Sequence, residues 1–300
     1  MKSLSPRVRG TLEISLASFG FGFLGVFGKW AFASGLSVGE FLSYRFIVAA
    51  LFLWIFLLLF KPDWVRLSAR QIFIAALLGI FGYAFFSTLY FKAIEGLSVT
   101  LAALLLYTYP FWVTLLSHFF TQDKISVKEL IPLLGASLGL VLLLWGHIEI
   151  RDTWALLAGL GSAISYAIYV MLSGRLQKNV RPLSSSLYVI TFGALALALF
   201  HHPHPESVQN LTAFQVSCIF GIALLCTIMP LTLELAALQK LRSKEVALLM
   251  MIEPLTAALL GTLVFHESLS LRQILGAVLI AACLVKNSLA QHFDPVHDRT

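Results

Sequence analysis

Residues Ala237 to Leu275 read ALQKLRSKEVALLMMIEPLTAALLGTLVFHESLSLRQIL. A related version of this sequence starts 144 positions earlier, so that Ala93 falls on Ala237 and Pro110 falls on Pro254. The same offset of 144 continues without drift through Leu115 and Leu259, Ser126 and Ser270, and Lys128 and Arg272. A repeat at one fixed offset indicates a single structural unit written twice.

The composition of the chain is that of a membrane protein. The sequence is 59% hydrophobic and 12% charged, whereas a soluble domain is about half apolar and about a quarter charged. At about 20 apolar residues per crossing, 300 residues provide about ten helices and leave no room for an extramembrane domain. The basic residues behind the net charge of +6 lie in short loops between apolar segments. This placement predicts a lipid bilayer as partner and excludes nucleic acid.

Ten apolar segments are predicted as helices 1 to 10, five in each copy of the repeat. They are residues 12–33, 40–60, 71–92, 99–120, 128–145, 154–172, 183–200, 214–237, 244–264 and 271–289. The first segment has about twenty apolar residues, too many for a signal-peptide core of about 7–15, and is expected to remain as helix 1. The predicted domains are a first repeat over residues 11–146, a second over residues 153–290 and a short tail over residues 291–300.

Four helix starts support the repeat independently of hydropathy. A Ser or Thr followed three positions later by Glu or Gln forms a capping box, in which both side chains satisfy free amides of the first turn. The boxes begin at Ser68, Ser126, Thr212 and Ser270 and end at Gln71, Glu129, Gln215 and Gln273. They form two pairs, each separated by 144 positions, which agrees with the register of the repeat.

An odd number of helices in each copy predicts that the copies cross the membrane in opposite directions. With the N terminus inside, most of the 21 Lys and Arg residues fall on the inner side. The exceptions are Lys29, Arg45, Lys92, Arg151 and Arg272. Basic loops face the cytoplasm, so we expect a multi-pass inner-membrane protein with both termini cytoplasmic. The predicted fold is all-α, with ten transmembrane helices arranged as two inverted-topology five-helix repeats, an architecture typical of secondary transporters.

The repeat resembles the EamA-type module of the drug/metabolite transporter superfamily over about Thr11 to Leu289. The residues that carry the resemblance are Ala93–Pro110 with Asp123 and Ser126, Ala237–Pro254 with Glu267, Ser270, Gln273 and Gly276, and Lys29, Trp30 and Arg45. Pro132 departs from the pattern, since the second copy has Gly276 there, and this puts the packing of helix 5 in question. The resemblance implies a ten-helix carrier, similar to bacterial exporters of amino acids or other metabolites, while other members import nucleotide-sugar-like metabolites.

Ionisable residues inside the bilayer are candidates for function because they are costly there. Glu253, near the middle of helix 9 and directly before Pro254, is the sharpest candidate, as a proton-titrating or amine-binding carboxylate. The structural alternative is a Glu that pairs with amides freed near the Pro254 kink.

Other charged residues in apolar segments have weaker claims. Lys29 and Arg45 are candidates for a substrate carboxylate, yet both are long enough to reach the membrane interface instead. Glu13 and Glu234 lie near the inner helix ends, where solvated or salt-bridged roles are expected. Glu234 stays a binding candidate, because helix 8 should line the cavity if it mirrors helix 3.

Aromatic side chains supply the best indication of the substrate. They are Tyr83, Phe86, Tyr90, Tyr107, Tyr109 and Trp112 in helices 3 and 4, and Tyr166 and Tyr169 in helix 6. Such rings can hold an ammonium by cation–π contact or an apolar side chain by stacking. The alternative is that they belong to the ordinary core or to an interfacial belt. Small residues such as Gly135 and Gly139 predict close helix packing around helix 5.

Catalytic motifs are missing from the sequence, so we expect no enzyme activity, no cofactor and no metal site. The predicted function is a secondary transporter of a small polar or amphipathic metabolite, most directly an amino-acid exporter, with the proton as candidate coupling ion. A monomer and a homodimer both stay open. The alternatives are an importer of a nucleotide-type metabolite, which would need three or more Lys or Arg in the cavity, and a structural or sensory membrane protein, which would have closed packing.

Overall fold

A computed structural model describes residues 5–121, 126–146, 150–202 and 211–292. Within these ranges the chain is helical, and the residues form no strand beyond one isolated bridge between Leu97 and Ile150. Nine helices of the described chain are long and apolar enough to cross a membrane. The predicted class, an all-α membrane protein, is therefore confirmed. The predicted tail over residues 291–300 lies almost entirely outside the described residues.

The helices follow the predicted order. They are α1 Pro6–Ala33, α2 Val38–Phe60, α3 Ala69–Gly96, α4 Val99–Thr121, α5 Val127–Leu143, α6 Trp154–Leu176, α7 Pro182–His201, α8 Ala213–Leu238, α9 Ser243–Phe265 and α10 Leu271–His292. A short 3₁₀ turn, Pro62–Trp64, follows α2. Helix α5 has 17 residues and is not one of the nine, although a crossing needs only about 17–25 residues. Ten crossings therefore stay a prediction.

The first helix begins earlier than its hydropathy predicts. It starts at Pro6 instead of residue 12, because the Ser5 side chain accepts the Val8 N–H at 3.3 Å and Pro6 occupies the first turn. Proline suits this position, since its missing N–H would have no helical partner there. Arg9 and Glu13, one turn apart, pair at 3.1 Å and support the added turns.

Two π-helical turns interrupt corresponding helices. One spans Leu78–Ala84 in α3 and the other spans Leu224–Ile228 in α8. Their last residues, 84 and 228, are related by the sequence offset of 144. A π turn widens the helix and often marks a functional position, so its presence in both copies shows that the repeat extends to the backbone geometry.

Helices α4 and α9 are also broken at matching positions. The two halves of α4 are Val99–Leu106 and Tyr109–Thr121, and the halves of α9 are Ser243–Leu249 and Ile252–Phe265. The two breaks agree to within one residue at the same offset. Broken helices leave backbone groups without helical partners, and in transporters such helices form the binding site.

Three of the four predicted capping boxes are present in full. Those at Ser68, Thr212 and Ser270 each show both reciprocal bonds. The prediction for Ser126 is half wrong, because its hydroxyl accepts the Lys128 N–H at 3.3 Å but Glu129 does not return to the cap. The Glu129 carboxylate is bound instead by two cations of the α8–α9 region.

The two copies exchange partners in the bundle. Helix α1 of the first copy packs against α8 and α9 of the second, and α6 of the second packs against α3 and α4 of the first. The core between them contains the broken helices of both copies. Side chains of α3, α4, α6, α8 and α9 that point into this core therefore lie where the two repeats meet.

Helices α5 and α10 pack on each other at the side of the bundle. A Cβ atom on Gly139 would lie 2.8 Å from the Gly276 carbonyl oxygen, and one on Gly276 would lie 2.5 Å from the Gly139 carbonyl oxygen. Only glycine allows this approach. Pro132 is buried inside α5, and the helix continues through it. The predicted close packing of helix 5 is therefore confirmed, in spite of the proline.

Candidate functional site

Five aromatic rings from three helices meet in the core. This ring cluster consists of Tyr83 and Phe86 in α3, Tyr109 in α4, and Tyr166 and Tyr169 in α6. Tyr166 is central, because its ring centroid lies 4.8 Å from that of Phe86, 4.8 Å from that of Tyr109 and 5.8 Å from that of Tyr169. All five belong to the aromatic set that the sequence indicated for the substrate, and the structure brings them into contact.

A fully buried carboxylate lies against the ring cluster. Glu234 of α8 has no exposed surface, and its Oε1 accepts a hydrogen bond of 3.3 Å from the Tyr166 hydroxyl. Its Oε2 has no hydrogen-bond partner within the described chain. The expectation of a solvated or salt-bridged Glu234 is therefore wrong, because α8 packs on α1, α7 and α6 at this level. Glu13, by contrast, is salt-bridged to Lys240 at 2.7 Å as expected.

A second carboxylate lies at the break of α9. Glu253 is in the first turn of the segment Ile252–Phe265 and keeps part of its surface accessible. Tyr107, at the equivalent break of α4, and Tyr90 both lie near this carboxylate. The two broken helices therefore face each other through predicted site residues, and the amides at this helix start favour a negative charge.

The acidic residues occupy positions where the first copy has tyrosines. At the offset of 144, Glu234 corresponds to Tyr90 and Glu253 corresponds to Tyr109. The pseudo-symmetric framework thus carries a site of unequal halves, with hydroxyl groups on one side and carboxylates on the other. Single-residue patterns in either copy do not show this exchange, but the comparison of the two copies does.

Arg45 of α2 is a buried cation of the same region. Only 5% of its surface is exposed, so it does not reach the membrane interface as its length would allow. Its Nε donates to Thr227 Oγ1 at 2.7 Å, and its Nη2 donates to the Tyr83 hydroxyl and the Cys226 carbonyl, both at 3.4 Å. Arg45 thereby joins the π turn of α8 to the ring cluster.

Two predicted site residues, Lys29 and Trp112, form polar contacts with residues outside the ring cluster. The Lys29 ammonium forms an ion pair with Glu267 at 2.9 Å and lies 4.0 Å above the Phe265 ring centroid, with more than half of the side chain exposed. Trp112 donates its ring N–H to Thr108 at 3.2 Å within α4. The structure therefore keeps Lys29 away from Glu234, whereas Trp112 packs against the apolar core that contains the ring cluster.

A partly buried ion-pair network links α1, α5 and α9 at one end of the bundle. It comprises Arg7, Glu129, Arg242, Lys244 and Glu245. Arg242 contacts Glu245 at 2.7 Å and Glu129 at 2.8 Å, Lys244 contacts Glu129 at 2.7 Å, and Arg7 contacts Glu245 at 3.3 Å. Burial alone would lower the pKa of Arg242, but Glu245 and Glu129 outweigh it and the pKa is raised. The sequence reasoning used these charges only to orient the chain and missed the network.

Comparisons with known proteins agree with this architecture. The model of the EamA-like transporter family matches residues 8–145 and 153–287. An uncharacterized transporter of Archaeoglobus fulgidus is 31% identical over 64% of this chain and 68% of its own length. The uncharacterized transporter YcbK of Bacillus subtilis is 24% identical over 89% of this chain and 88% of its own length.

Two further similarities concern function and fold. The threonine/homoserine exporter RhtA of Escherichia coli is 27% identical over 74% of both chains. A solved crystal structure superposes with a TM-score of 0.82 at 16% identity and covers 95% of this chain and 98% of its own, which shows a shared fold. Because the family model covers both halves, the chain belongs to the EamA-like transporter family of the drug/metabolite transporter superfamily.

Proposed function

We propose that this transporter exports an amino acid across the inner membrane, by alternating access to a site between its two repeats. The observation that carries the proposal is Glu234, a buried carboxylate whose Oε2 is unpartnered in the described chain, placed against the ring cluster. An ammonium group suits this pair of features, because it can satisfy a carboxylate while it contacts aromatic faces. The similarity to RhtA supports the same class of cargo.

The proposed topology has ten crossings, with repeats over residues 11–146 and 153–290 and both termini cytoplasmic. The matched π turns, the matched helix breaks and the exchange of α1 and α6 between the copies support this arrangement. In this orientation the ion-pair network lies on the cytoplasmic side. It would hold that side closed, and its separation would open the site to the cytoplasm.

Protons are the proposed coupling ion. Glu253 supports this role, since it is partly accessible, faces Tyr107 and forms no ion pair among the described residues. A carboxylate in this position can take up a proton on one side of the membrane and release it on the other. Binding and release of the cargo would then depend on whether Glu253 is protonated.

An importer of nucleotide-type metabolites fits this site less well. Such a cargo needs several cations for its phosphates, whereas among the described residues the ring cluster has only Arg45 as a cationic contact. Lys29, the other predicted cation, is paired with Glu267. A structural or sensory role is disfavoured because the chain belongs to a transporter family.

Reconstitution tests the proposal. Purified protein in liposomes preloaded with one unlabelled amino acid should accumulate the labelled form by counterflow, with L-threonine and L-homoserine as the first cargoes. The variant Glu234→Gln keeps the shape and a hydrogen bond to Tyr166 but removes the charge, and it should lose at least about tenfold in rate. Lys29→Gln serves as the matched control and should not. If no labelled amino acid exchanges, the proposal is wrong.

A further inference from the structure

We propose that Arg45 binds the carboxylate of the transported amino acid, so that the site selects zwitterions over simple amines. The inference rests on the proposed function and adds a binding residue for the second charged group of the substrate. Glu234 and Glu253 would receive the ammonium end, and Arg45 the carboxylate end.

The first argument is that no anion of the described chain contacts Arg45, since Glu253, the carboxylate that interacts with it over a longer distance, forms no ion pair with it. Its partners, the Thr227 hydroxyl, the Tyr83 hydroxyl and the Cys226 carbonyl, are all neutral. No carboxylate lies within ion-pair distance of its guanidinium in the described ranges, and no hydrogen bond from Nη1 is found there. A buried guanidinium without a contacting anion is costly. A substrate carboxylate would supply the anion, and the planar guanidinium fork suits it.

The second argument is that the repeat does not need a cation at this place. Position 189 corresponds to Arg45 at the offset of 144, and it holds Val189. In the first copy, the π turn Leu78–Ala84 packs directly on α7, with Gly79 against the Val189 backbone. The packing of that turn on α7 thus involves no cation from position 189. Arg45, which contacts both π turns, has no cationic counterpart in the second copy, as expected for a functional group.

The third argument is the position of Arg45 between the copies. Its partners Tyr83 and Thr227 are equivalent residues of the two π turns, since they are 144 positions apart. Tyr83 is also a member of the ring cluster, whose Tyr166 holds Glu234. Arg45 thus contacts one member of the ring cluster, Tyr83, and Glu234 contacts another, Tyr166. A zwitterion beside the rings would have its carboxylate at Arg45 and its ammonium toward the acidic side chains.

A purely structural role for Arg45 makes a different prediction. An arginine that only braces the π turn would affect folding and rate, but not the choice between an amino acid and its carboxamide. The carboxamide keeps the ammonium and side chain and loses only the negative charge. Competition between these two compounds therefore reports on the charge contact alone.

The experiment measures inhibition of L-threonine counterflow by unlabelled L-threonine and by L-threoninamide. In wild-type protein we expect the amide to compete about 10- to 100-fold more weakly, the loss that corresponds to a hydrogen bond with a charged group. In Arg45→Gln this ratio should fall to within about threefold, and in Arg45→Lys to an intermediate value. Lys29→Gln should keep the wild-type ratio. Gel filtration and the melting temperature check that each variant folds, and Arg45→Lys decides if Arg45→Gln does not fold.

Three outcomes overturn the inference. The first is a wild-type protein that the amide and L-threonine inhibit about equally. In that case amino-acid counterflow, and with it the proposed function, would still stand. The second is a folded Arg45 variant with an unchanged ratio. If another amino acid exchanges and L-threonine does not, the same competition is measured with that amino acid and its carboxamide. Absence of counterflow for every labelled amino acid contradicts the proposed function and this inference together.

Discussion

Neutralising Glu245 should open the end of the bundle that contains the ion-pair network. The Glu245→Gln variant removes the carboxylate that Arg7 and Arg242 contact at 3.3 and 2.7 Å. Breaking a fully buried pair costs about 3–5 kcal/mol, and an exposed pair is worth about 0.2–1 kcal/mol. Here the carboxylate is 5% exposed and the arginines are 27% and 29% exposed. An intermediate cost of about 2 kcal/mol corresponds to about a 30-fold shift toward the open form.

A cysteine at Ser243 reports this shift. The Ser243 hydroxyl is partly buried and lies 3.5 Å from the Val170 carbonyl of α6, so the side chain becomes accessible only when α9 and α6 part. Ser243→Cys would be placed in a background with the native cysteines, Cys218, Cys226 and Cys283, changed to alanine. The rate of labelling by a membrane-impermeant maleimide in inside-out vesicles should then rise about 10- to 30-fold when Glu245→Gln is added.

The matched control neutralises an exposed pair at the other end. Glu95 pairs with Lys92 at 3.1 Å, with both side chains about two-thirds exposed, so Glu95→Gln should leave the labelling rate unchanged. The reasoning is refuted if Glu245→Gln changes the rate by less than about twofold, or if Glu95→Gln raises it equally.

Three other changes have defined outcomes. Gly139→Ala should destabilise the protein by about 1–3 kcal/mol, because the new Cβ would lie 2.8 Å from the Gly276 carbonyl oxygen. Gly25→Ala is the control, because its new Cβ would meet no atom of another helix within 4 Å; its melting temperature in detergent should equal or exceed that of the wild type. An equal fall in melting temperature in both variants would contradict the packing argument. Glu253→Gln should remove the dependence of transport on pH, and identical pH profiles in variant and wild type would exclude this carboxylate as the proton carrier. Tyr166→Phe should cost about 1–3 kcal/mol, since it leaves the Glu234 carboxylate without its hydroxyl donor; a melting temperature equal to wild type would argue against that bond.

Periodicity and the repeat predicted most of the fold from the sequence. Helix order and three capping boxes follow from local signals, which act within a few residues. The start of α1 at Pro6 was missed because hydropathy ignores the charged turn that Ser5 caps. The break of α9 lies where a kink at Pro254 was predicted, and Pro110 occupies the equivalent position in α4. No local pattern in the sequence predicted the π turns.

The candidate site was predicted in part. Interior charge and the aromatic spacing identified Glu253, Glu234 and much of the ring cluster, because such residues are unusual within a membrane. Lys29 pairs with Glu267, which is 238 positions away, and the sequence pattern around Lys29 does not indicate this contact. The burial of Arg45 depends likewise on Thr227, 182 positions away. Contacts at such separations leave no trace in local pattern.

The most direct test of the account is equilibrium binding of radiolabelled L-threonine to purified protein. We predict saturable binding that Glu234→Gln weakens at least about tenfold and that Lys29→Gln, which changes only the exposed contacts with Glu267 and Phe265, leaves intact. Equal affinity in wild type and Glu234→Gln would contradict the claim that the buried carboxylate beside the ring cluster holds the cargo.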